Sequence, residues 1–393
     1  QGNKINEGEE MTYSEFSFPN DIHIIWSLMI VTYPFITGLV AGAFMVSALY
    51  YVFDRKELEP IHRFALLVSL SFMVCATLPL LFHLGHPERS YRIMITPNFT
   101  SAIAGFGLIY SFYLVVLLLE IWIAYRKEIV ENHKNSSGIK RLFWGALALG
   151  VYEIDKESAK VDRSFIFTLS VVGIPAAFTL HGYVGFLFGS LKSNPWWSTP
   201  LMPQIFLLSA VQSGIALIIL LYIFLGYKGY LEKSLQCVKS LVFFLWFSII
   251  LVLVSEGLEL LFLYYEATDA WKVVGELLET KLFTSFVVLQ QGLGMGGSFI
   301  ILTVLIFAKI EKNYTPLVVI ASGLALFEVW IMRWNVVVGG QMFSKSFIGF
   351  RHYTPLWFEK EGIFTSIFLT LLPFLILLIL TKFLPIRPHD REE

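Results

Sequence analysis

The sequence predicts an all-α, polytopic membrane protein, and three observations lead to that prediction. Hydrophobic residues make up 56% of the chain and aromatic residues 16%, whereas charged residues make up only 15%. The mean hydropathy is +0.68. Apolar runs long enough to cross a bilayer as helices recur along the whole chain. No soluble core requires this much apolar surface.

Nine apolar runs are long enough for a transmembrane helix. They lie at residues 22–51, 62–84, 101–125, 164–189, 203–226, 240–264, 282–308, 315–337 and 363–385. The stretch 139–152 is too short to span and begins with basic residues, so it is predicted to be an interfacial helix. We predict one integral membrane domain, with a four-helix bundle in 22–189, a second in 203–337 and a peripheral helix at 363–385.

The lysines and arginines of the loops predict the orientation, because positively charged loops stay on the cytoplasmic side. Nineteen of the 29 lie in loops on one side of the alternating topology and nine lie on the other. This bias predicts an outer N-terminus and a cytoplasmic C-terminus. The acidic stretch before Met11 has no basic n-region, so the sequence does not predict a cleavable signal peptide.

Composition also excludes several classes of function. A net charge of -1, with its cations spread over short loops, argues against a nucleic-acid partner. Cys75 and Cys237 are the only cysteines, too few for an iron–sulfur cluster, and no Cys-x-x-Cys-His haem motif occurs. His83, His86 and His181 are the only deep histidines, so one outer bis-His haem is geometrically feasible, but no second inner pair exists.

A charged turn at the end of the second run concentrates reactive side chains at a membrane boundary. Residues 83–92 contain two histidines, a glutamate and two arginines. Gly85 and Pro87 are predicted to end the preceding helix, and residues 98–101 to cap the next one. The arginines either anchor a helix end among lipid headgroups or serve a functional site.

Polar side chains within the spans are functional candidates, because exposing an ionisable group to hydrocarbon is costly. Most lie in the outer halves of the spans, and spacings of three or four residues put pairs on one helix face. We expect them to face one pocket. The alternatives are that a Tyr or Thr only packs, or that the acidic residues form a helix-joining salt bridge with an arginine. The candidates are Tyr33, Thr37, His181, Tyr183, Glu256, Glu259, Glu328, Arg333 and Asn335.

Small residues mark two expected helix-packing surfaces. Gly38, Ala41 and Gly42 follow one another at helical spacing in the first run. Gly292 and Gly296 fit a small-xxx-small interface in the seventh. The glycine-rich stretch around them is not a phosphate loop, because no strand precedes it and no Gly-Lys-Ser/Thr follows.

Several motifs spread over the chain resemble those of one membrane-protein family. Tyr33–Gly42 resembles a helix of its first bundle, His83–Arg89 its His-Leu-Gly-x-Pro-x-Arg turn, and Tyr183–Leu187 its Tyr-x-Gly-x-Leu segment. The family is the NrfD/PsrC family of quinone-interacting membrane subunits. The stretch Arg333–Gln341 resembles its longer HybB- and DsrP-like members, which usually have ten helices, one more than the nine counted here.

The resemblance implies a haem-free subunit in the cytoplasmic membrane of a prokaryote. Such a subunit binds menaquinone or ubiquinone near the outer face and exchanges electrons with a ferredoxin-like iron–sulfur subunit docked there, within a complex that has further catalytic or cytochrome subunits. A quinol gives up two protons and two electrons, so its site needs hydrogen-bond donors and a nearby acid or base. From these requirements and the polar side chains described above, we predict three sets of site residues. The predicted quinone contacts are Tyr33, Thr37, His83, His181 and Tyr183; the predicted proton-exchanging groups are Glu256, Glu259 and His83; the predicted partner contacts are Arg89 and Arg92.

The sequence therefore predicts a quinone-handling anchor of a respiratory oxidoreductase, with proton translocation left open. One alternative is an ion-coupled secondary transporter that uses the same acidic residues, which predicts inverted repeats and paired broken helices. The sequence does not show these convincingly. The other alternative is a purely structural membrane anchor.

Overall fold

The structure, a computed structural model, describes residues 24–266, 269–308, 312–343 and 349–386. Within these ranges the chain is helical, and a single bridge between Phe343 and Phe350 is the only β-type pairing. The described residues include nine helices long and apolar enough to cross a membrane, which confirms the predicted class. In chain order, the first to ninth spans are Leu28–Tyr51, His62–His83, Ala102–Ala124, Lys156–Gly189, Met202–Tyr227, Leu235–Glu266, Phe283–Phe307, Tyr314–Gln341 and Ile363–Phe383.

Several predictions concern residues outside the described ranges. The outer N-terminus and the missing signal peptide involve residues 1–23, and the cytoplasmic C-terminus involves residues 387–393. Lys309, which contributes to the charge bias, also lies outside them. The predicted sidedness of the protein therefore stays a prediction.

Some span boundaries differ from the predicted ones, because caps and not hydropathy set where a helix begins. The first span begins at Leu28 rather than residue 22, and the hydroxyl of Ser27 accepts a hydrogen bond from the backbone N–H of Met29 at 3.3 Å. The fourth begins at Lys156 rather than residue 164. Asp155 caps it by accepting from the backbone N–H of Ser158 at 2.7 Å. A polar first turn thus extends this helix beyond its apolar run.

The second span is interrupted near its C-terminal end. Its first part ends at Cys75 and a short helix resumes at Leu78, where the sequence predicts one continuous helix. Pro79 explains the interruption, since its ring lacks an N–H and clashes with the carbonyl four residues earlier, that of Cys75. The helix then ends at His83, just before Gly85, as predicted.

The first span lies at the centre of the molecule. It packs against the second, fourth, fifth and eighth spans, and 94% of its most apolar window is buried, against 22% for the ninth span. A Cβ on Gly42 would lie 2.6 Å from the Cα of Gly214, so the first and fifth helices approach backbone to backbone. The packing role predicted for Gly42 is confirmed. The grouping into two bundles and a peripheral helix stays a prediction.

Two short helices, rather than the one predicted at 139–152, connect the third and fourth spans. They cover Arg126–Asn135 and Gly138–Leu147 and pack together through a small cluster that includes Ile129 and Trp144. The indole N–H of Trp122 donates to the carbonyl of Leu147 at 2.8 Å. These two short helices form a helical hairpin, which this hydrogen bond fixes to the end of the third span.

The seventh span has an unusual helix type. Phe283–Gly296 is a π-helix, and a regular α-helix follows over Gly297–Phe307. Packing predicted from α-helical spacing at Gly292 and Gly296 is wrong here, since Cβ atoms on them would meet only carbonyls of their own helix. Gly294 instead contacts the eighth span: its Cβ would lie 2.6 Å from that of Glu328. The wider helix changes which residues face the neighbour.

Candidate functional site

Arg333 is fully buried between the fourth, fifth and eighth spans. Its Nη2 donates to the hydroxyl of Ser209 at 2.7 Å and lies 3.1 Å from Nε2 of His181. The guanidinium also stacks on the ring of Phe206, 4.0 Å from its centroid. Among the described residues no carboxylate lies within 4 Å of Arg333, so the helix-joining salt bridge considered for it does not form.

Glu256 is buried in the sixth span and is held by amides of the π-helix. Its Oε2 accepts from Nε2 of Gln291 at 2.6 Å and from Nε2 of Gln290 at 3.1 Å. Asn335 of the eighth span donates in turn to Oε1 of Gln290 at 2.8 Å. The two consecutive glutamines therefore connect the sixth, seventh and eighth spans through neutral groups, and π-helical segments commonly occur at functional sites.

Glu328 is a second carboxylate with an amide partner. It is fully buried in the eighth span, and its Oε2 accepts from Nε2 of Gln212 in the fifth span at 2.6 Å. Its Oε1 has no hydrogen-bond partner among the described residues. A buried carboxylate with an unused oxygen is costly unless it binds water, a proton or a ligand.

A small cavity lies beside Glu256 and Glu259. It measures about 20 Å³, and Gln290 and Asn335 also line it. This is room for on the order of one water molecule. Oε1 of Glu259 is buried and has no partner in the described part of the chain. The cavity can hold a proton-carrying water, but it is far too small for an aromatic ring.

Two other predicted residues lie apart from this cavity: Tyr33 of the first span packs against Phe106 of the third, and His181 of the fourth span lies against Gly38 of the first. The hydroxyl of Tyr33 is buried without a partner among the described residues, and the same holds for Nδ1 of His181. Thr37 donates back to the carbonyl of Tyr33 one turn earlier. Gly38 makes room for the imidazole, since a Cβ there would lie 3.3 Å from Cε1 of His181.

Tyr183, predicted as a quinone contact, already has a hydrogen-bond partner in the protein, and its role at a quinone site stays a prediction. Its hydroxyl donates to the carbonyl of Ala102 at 2.7 Å, which joins the fourth span to the start of the third. A Cβ on Gly105 would be 2.9 Å from Cζ of Tyr183, so the ring fills the groove beside that glycine. This is the packing alternative that the sequence left open.

His83 forms an ion-pair contact that the sequence did not indicate. Its Nδ1 lies 2.8 Å from Oε2 of Glu361, in the segment that precedes the ninth span. The hydroxyl of Ser27, the N-cap of the first span, donates to the same carboxylate oxygen. The pair is partly open to solvent, with 20% of the His83 side chain and 28% of the Glu361 side chain exposed. Three separate segments therefore meet at one titratable pair.

The remaining side chains of the charged turn are exposed at the surface of the protein. Glu88 lies 3.0 Å from Nδ1 of His86 and 3.7 Å from Nε of Arg89, and all three side chains are more than half exposed. Arg92 is also exposed, and no carboxylate lies within 4 Å of it among the described residues. Both arginines are accessible to lipid or to another protein.

The predicted site residues thus lie in separate places and not in one pocket. Glu256 and Glu259 share the small cavity, His181 contacts Gly38 and Arg333, Tyr33 packs against Phe106, and His83 pairs with Glu361. Sequence reasoning missed the hydrogen-bond and ion-pair partners of the predicted residues. These partners, Gln212, Ser209 and Glu361, lie far away along the chain and belong to no motif. Among the described residues, no group of three or more His, Cys, Asp or Glu could hold a metal ion.

Comparisons with known proteins assign a family. The profile described as "Polysulphide reductase, NrfD" matches residues 18–345. A selenate reductase subunit of Mesobacillus selenatarsenatis is 34% identical over 207 residues, 51% of this chain and 48% of that protein. Protein NrfD of Escherichia coli is 26% identical over 325 residues, 81% of this chain and 96% of that protein.

A third relative is the Hdr-like menaquinol oxidoreductase integral membrane subunit of Archaeoglobus fulgidus, 21% identical over 220 residues, 56% of this chain and 47% of that protein. The chain spans about half the length of this relative and of the selenate reductase protein, and nearly the whole of protein NrfD. Because the family profile covers most of the sequence, this integral membrane protein belongs to the NrfD polysulphide reductase family.

Proposed function

We propose that this chain is the quinone-handling membrane subunit of a multisubunit oxidoreductase. Membership of the NrfD family and relatives named as subunits of reductases support the assignment to a complex. The relative named as a menaquinol oxidoreductase subunit supports a quinone, menaquinone or ubiquinone, as the redox partner in the membrane. The quinone exchanges electrons with a ferredoxin-like iron–sulfur subunit on the outer face.

The observation that best supports quinone binding is that two buried polar atoms, one on the first span and one on the fourth, are left unused by the protein. The Tyr33 hydroxyl and Nδ1 of His181 have no hydrogen-bond partner among the described residues, although both are buried. Buried polar groups are rarely left unpaired unless a ligand or water completes them. A quinone carbonyl accepts from such donors, so these residues fit the group. Thr37 and Tyr183, whose hydroxyls already donate to backbone, contribute shape rather than the main hydrogen bonds.

Proton exchange is assigned to Glu256 and Glu259. A cavity of about 20 Å³ beside them suits a water molecule, and Oε1 of Glu259 has no hydrogen-bond partner among the described residues. A quinol releases two protons on oxidation, so acids connected to water are needed to carry them away. Bound quinone would supply the two-electron chemistry, while these residues hold and move protons.

His83 is assigned to proton exchange with water at the outer face. The imidazole of His83 lies 2.8 Å from a carboxylate oxygen of Glu361, and both side chains are in partial contact with solvent. Such a pair can pass a proton between a buried site and water. The structural alternative is that the pair only ties the ninth span to the second.

The experiment replaces His83 by Ala in the intact complex. It compares the quinone-linked turnover of the complex with the turnover of its soluble catalytic subunits measured with artificial dyes. Loss of an acid–base group lowers the quinone-linked rate by roughly a hundredfold or more, and the dye-linked rate stays unchanged. The matched control is His86→Ala, an exposed histidine in the same turn with its own carboxylate partner. Equal retention of both activities per assembled His83→Ala complex would remove His83 from the proton path.

Arg89 and Arg92 are assigned to docking of the iron–sulfur subunit. Both are exposed beside apolar Tyr91 and Met94, which are 56% and 43% exposed. Replacing both arginines by Gln removes two positive charges from this surface, so assembly slows and becomes less sensitive to salt. Co-purification of the iron–sulfur protein at two salt concentrations measures the effect. Unchanged assembly together with lost quinone binding would reverse the assignment.

A further inference from the structure

A large cavity lies at the opposite end of the first four spans from the charged turn. It measures about 880 Å³, at the upper end of the range of ligand pockets. Tyr50 and Tyr51, the last residues of the first span, line it together with Ala124, which ends the third span. Helix ends of membrane spans lie near the lipid headgroups, so the cavity opens at headgroup depth.

The rim of this cavity carries cations that have no carboxylate partner. Lys127, Lys160 and Arg163 line it and are exposed, and no described carboxylate lies within 4 Å of any of them. The two acidic residues of the lining are already compensated. Asp162 forms an ion pair with Arg126, and Asp54 lies 3.9 Å from Lys56. The cavity therefore offers three positive charges to a ligand.

The deeper walls of the cavity are apolar. Ile123 comes from the third span, and Ile166 and Phe167 come from the fourth, just after its polar first turns. A free phosphate ion gains nothing from such walls. A molecule with an anionic headgroup and hydrocarbon chains matches both parts of the cavity, because basic pockets between membrane helices bind anionic lipid headgroups.

The neighbouring helical hairpin also indicates that the cavity lies at the membrane surface. Ile139, Leu142 and Phe143 of the helix Gly138–Leu147 share one face and are 87%, 76% and 55% exposed. An amphipathic helix with such a face lies in the interface, with its apolar side among the acyl chains. Ile154 both lines the cavity and packs against the cluster that holds this hairpin. The hairpin and the cavity therefore meet the lipid at the same level.

We propose that this cavity is a binding site for one anionic phospholipid, with its phosphate among Lys127, Lys160 and Arg163 and its acyl chains against Ile123, Ile166 and Phe167. This inference does not depend on the proposed quinone function. The site lies at the other end of the spans from His83, so lipid and quinone would occupy separate places.

The test is native mass spectrometry of the purified complex with added phosphatidylglycerol. The wild type retains one tightly bound lipid. The variant with Lys127, Lys160 and Arg163 all changed to Gln binds the lipid on the order of a hundredfold more weakly, because each cation near the surface strengthens lipid binding by about 1 kcal/mol. The matched control changes Lys228, Lys239 and Lys312 to Gln. These exposed cations lie at span ends on the same side and outside the cavity.

A second variant and a competition experiment complete the test. Ala159→Glu places a negative charge on the exposed rim with no buried group disturbed, so it weakens lipid binding even if the triple variant fails to fold. Inorganic phosphate at equal concentration does not displace the lipid. Equal lipid retention by wild type, triple variant and Ala159→Glu would overturn the proposal, and so would displacement by phosphate, which would indicate a site for a free anion.

Discussion

Two buried carboxylates of this protein, one in each half of the chain, are held in opposite ways. In the first half, Glu128 lies 2.6 Å from the guanidinium of Arg63, which also stacks on the ring of Tyr125 at 4.1 Å. In the second half, Glu256 is held by Gln290 and Gln291 and no described cation lies within 4 Å of it. The first arrangement joins two helices through an ion pair. The second has only neutral partners, and we propose that it serves proton exchange.

Glu120 is an instructive intermediate case in the first half. It is fully buried in the third span, and its Oε1 accepts from the hydroxyl of Ser170 at 2.6 Å. Its Oε2 has no partner among the described residues. The contrast therefore depends on the immediate partner of each carboxylate and not simply on which half contains it.

The strongest test of the contrast replaces Glu256 and Glu259 by Gln in the intact complex. Gln keeps the shape and the hydrogen bonds but cannot exchange a proton, so quinone-linked turnover falls by roughly a hundredfold or more. Dye-linked activity and the yield of assembled complex stay at wild-type levels. The measurement is steady-state quinol turnover per assembled complex. Full turnover in the double variant would make these residues structural.

The matched change in the first half is Arg63→Gln, which leaves Glu128 buried without its partner. Only 9% of the Arg63 side chain and 6% of the Glu128 side chain are exposed, so breaking the pair costs about 3–5 kcal/mol of stability. Thermal unfolding in detergent measures the loss, and turnover per folded complex does not change. Changing Arg63 and Glu128 together to Gln restores part of the stability. A turnover defect in the folded variant would give this pair a functional role.

The smallest expected effects separate two tyrosines. Tyr183→Phe removes the hydrogen bond to the carbonyl of Ala102, so it lowers stability by about 1 kcal/mol and leaves the quinone KM unchanged. Tyr33→Phe removes a hydroxyl with no protein partner among the described residues, so it leaves stability unchanged and raises the quinone KM about five- to tenfold. Stability curves and KM values on both variants check this. The reverse pattern would exchange the roles of the two residues.

The sequence predicted the spans well because hydropathy reports directly on what must face lipid. It was less accurate where a polar cap determines the first residue of a helix, as at the fourth span, whose helix begins at Lys156. The motif residues Tyr33 and Tyr183 looked equivalent in sequence, since each is a tyrosine near a small residue. Only their neighbours distinguish a hydroxyl that already donates to backbone from one that has no partner in the described part of the chain.

Composition and short local motifs were enough to establish the membrane class, nearly all of the span positions and the family. Which side chains meet became known only from the packed helices. His83 pairs with Glu361, 278 residues away, and Glu328 pairs with Gln212, 116 residues away. Such contacts depend on how helices pack and rotate against one another, and the π-helix of the seventh span alters that rotation. Periodicity along one helix carries no information about the partner that another helix presents.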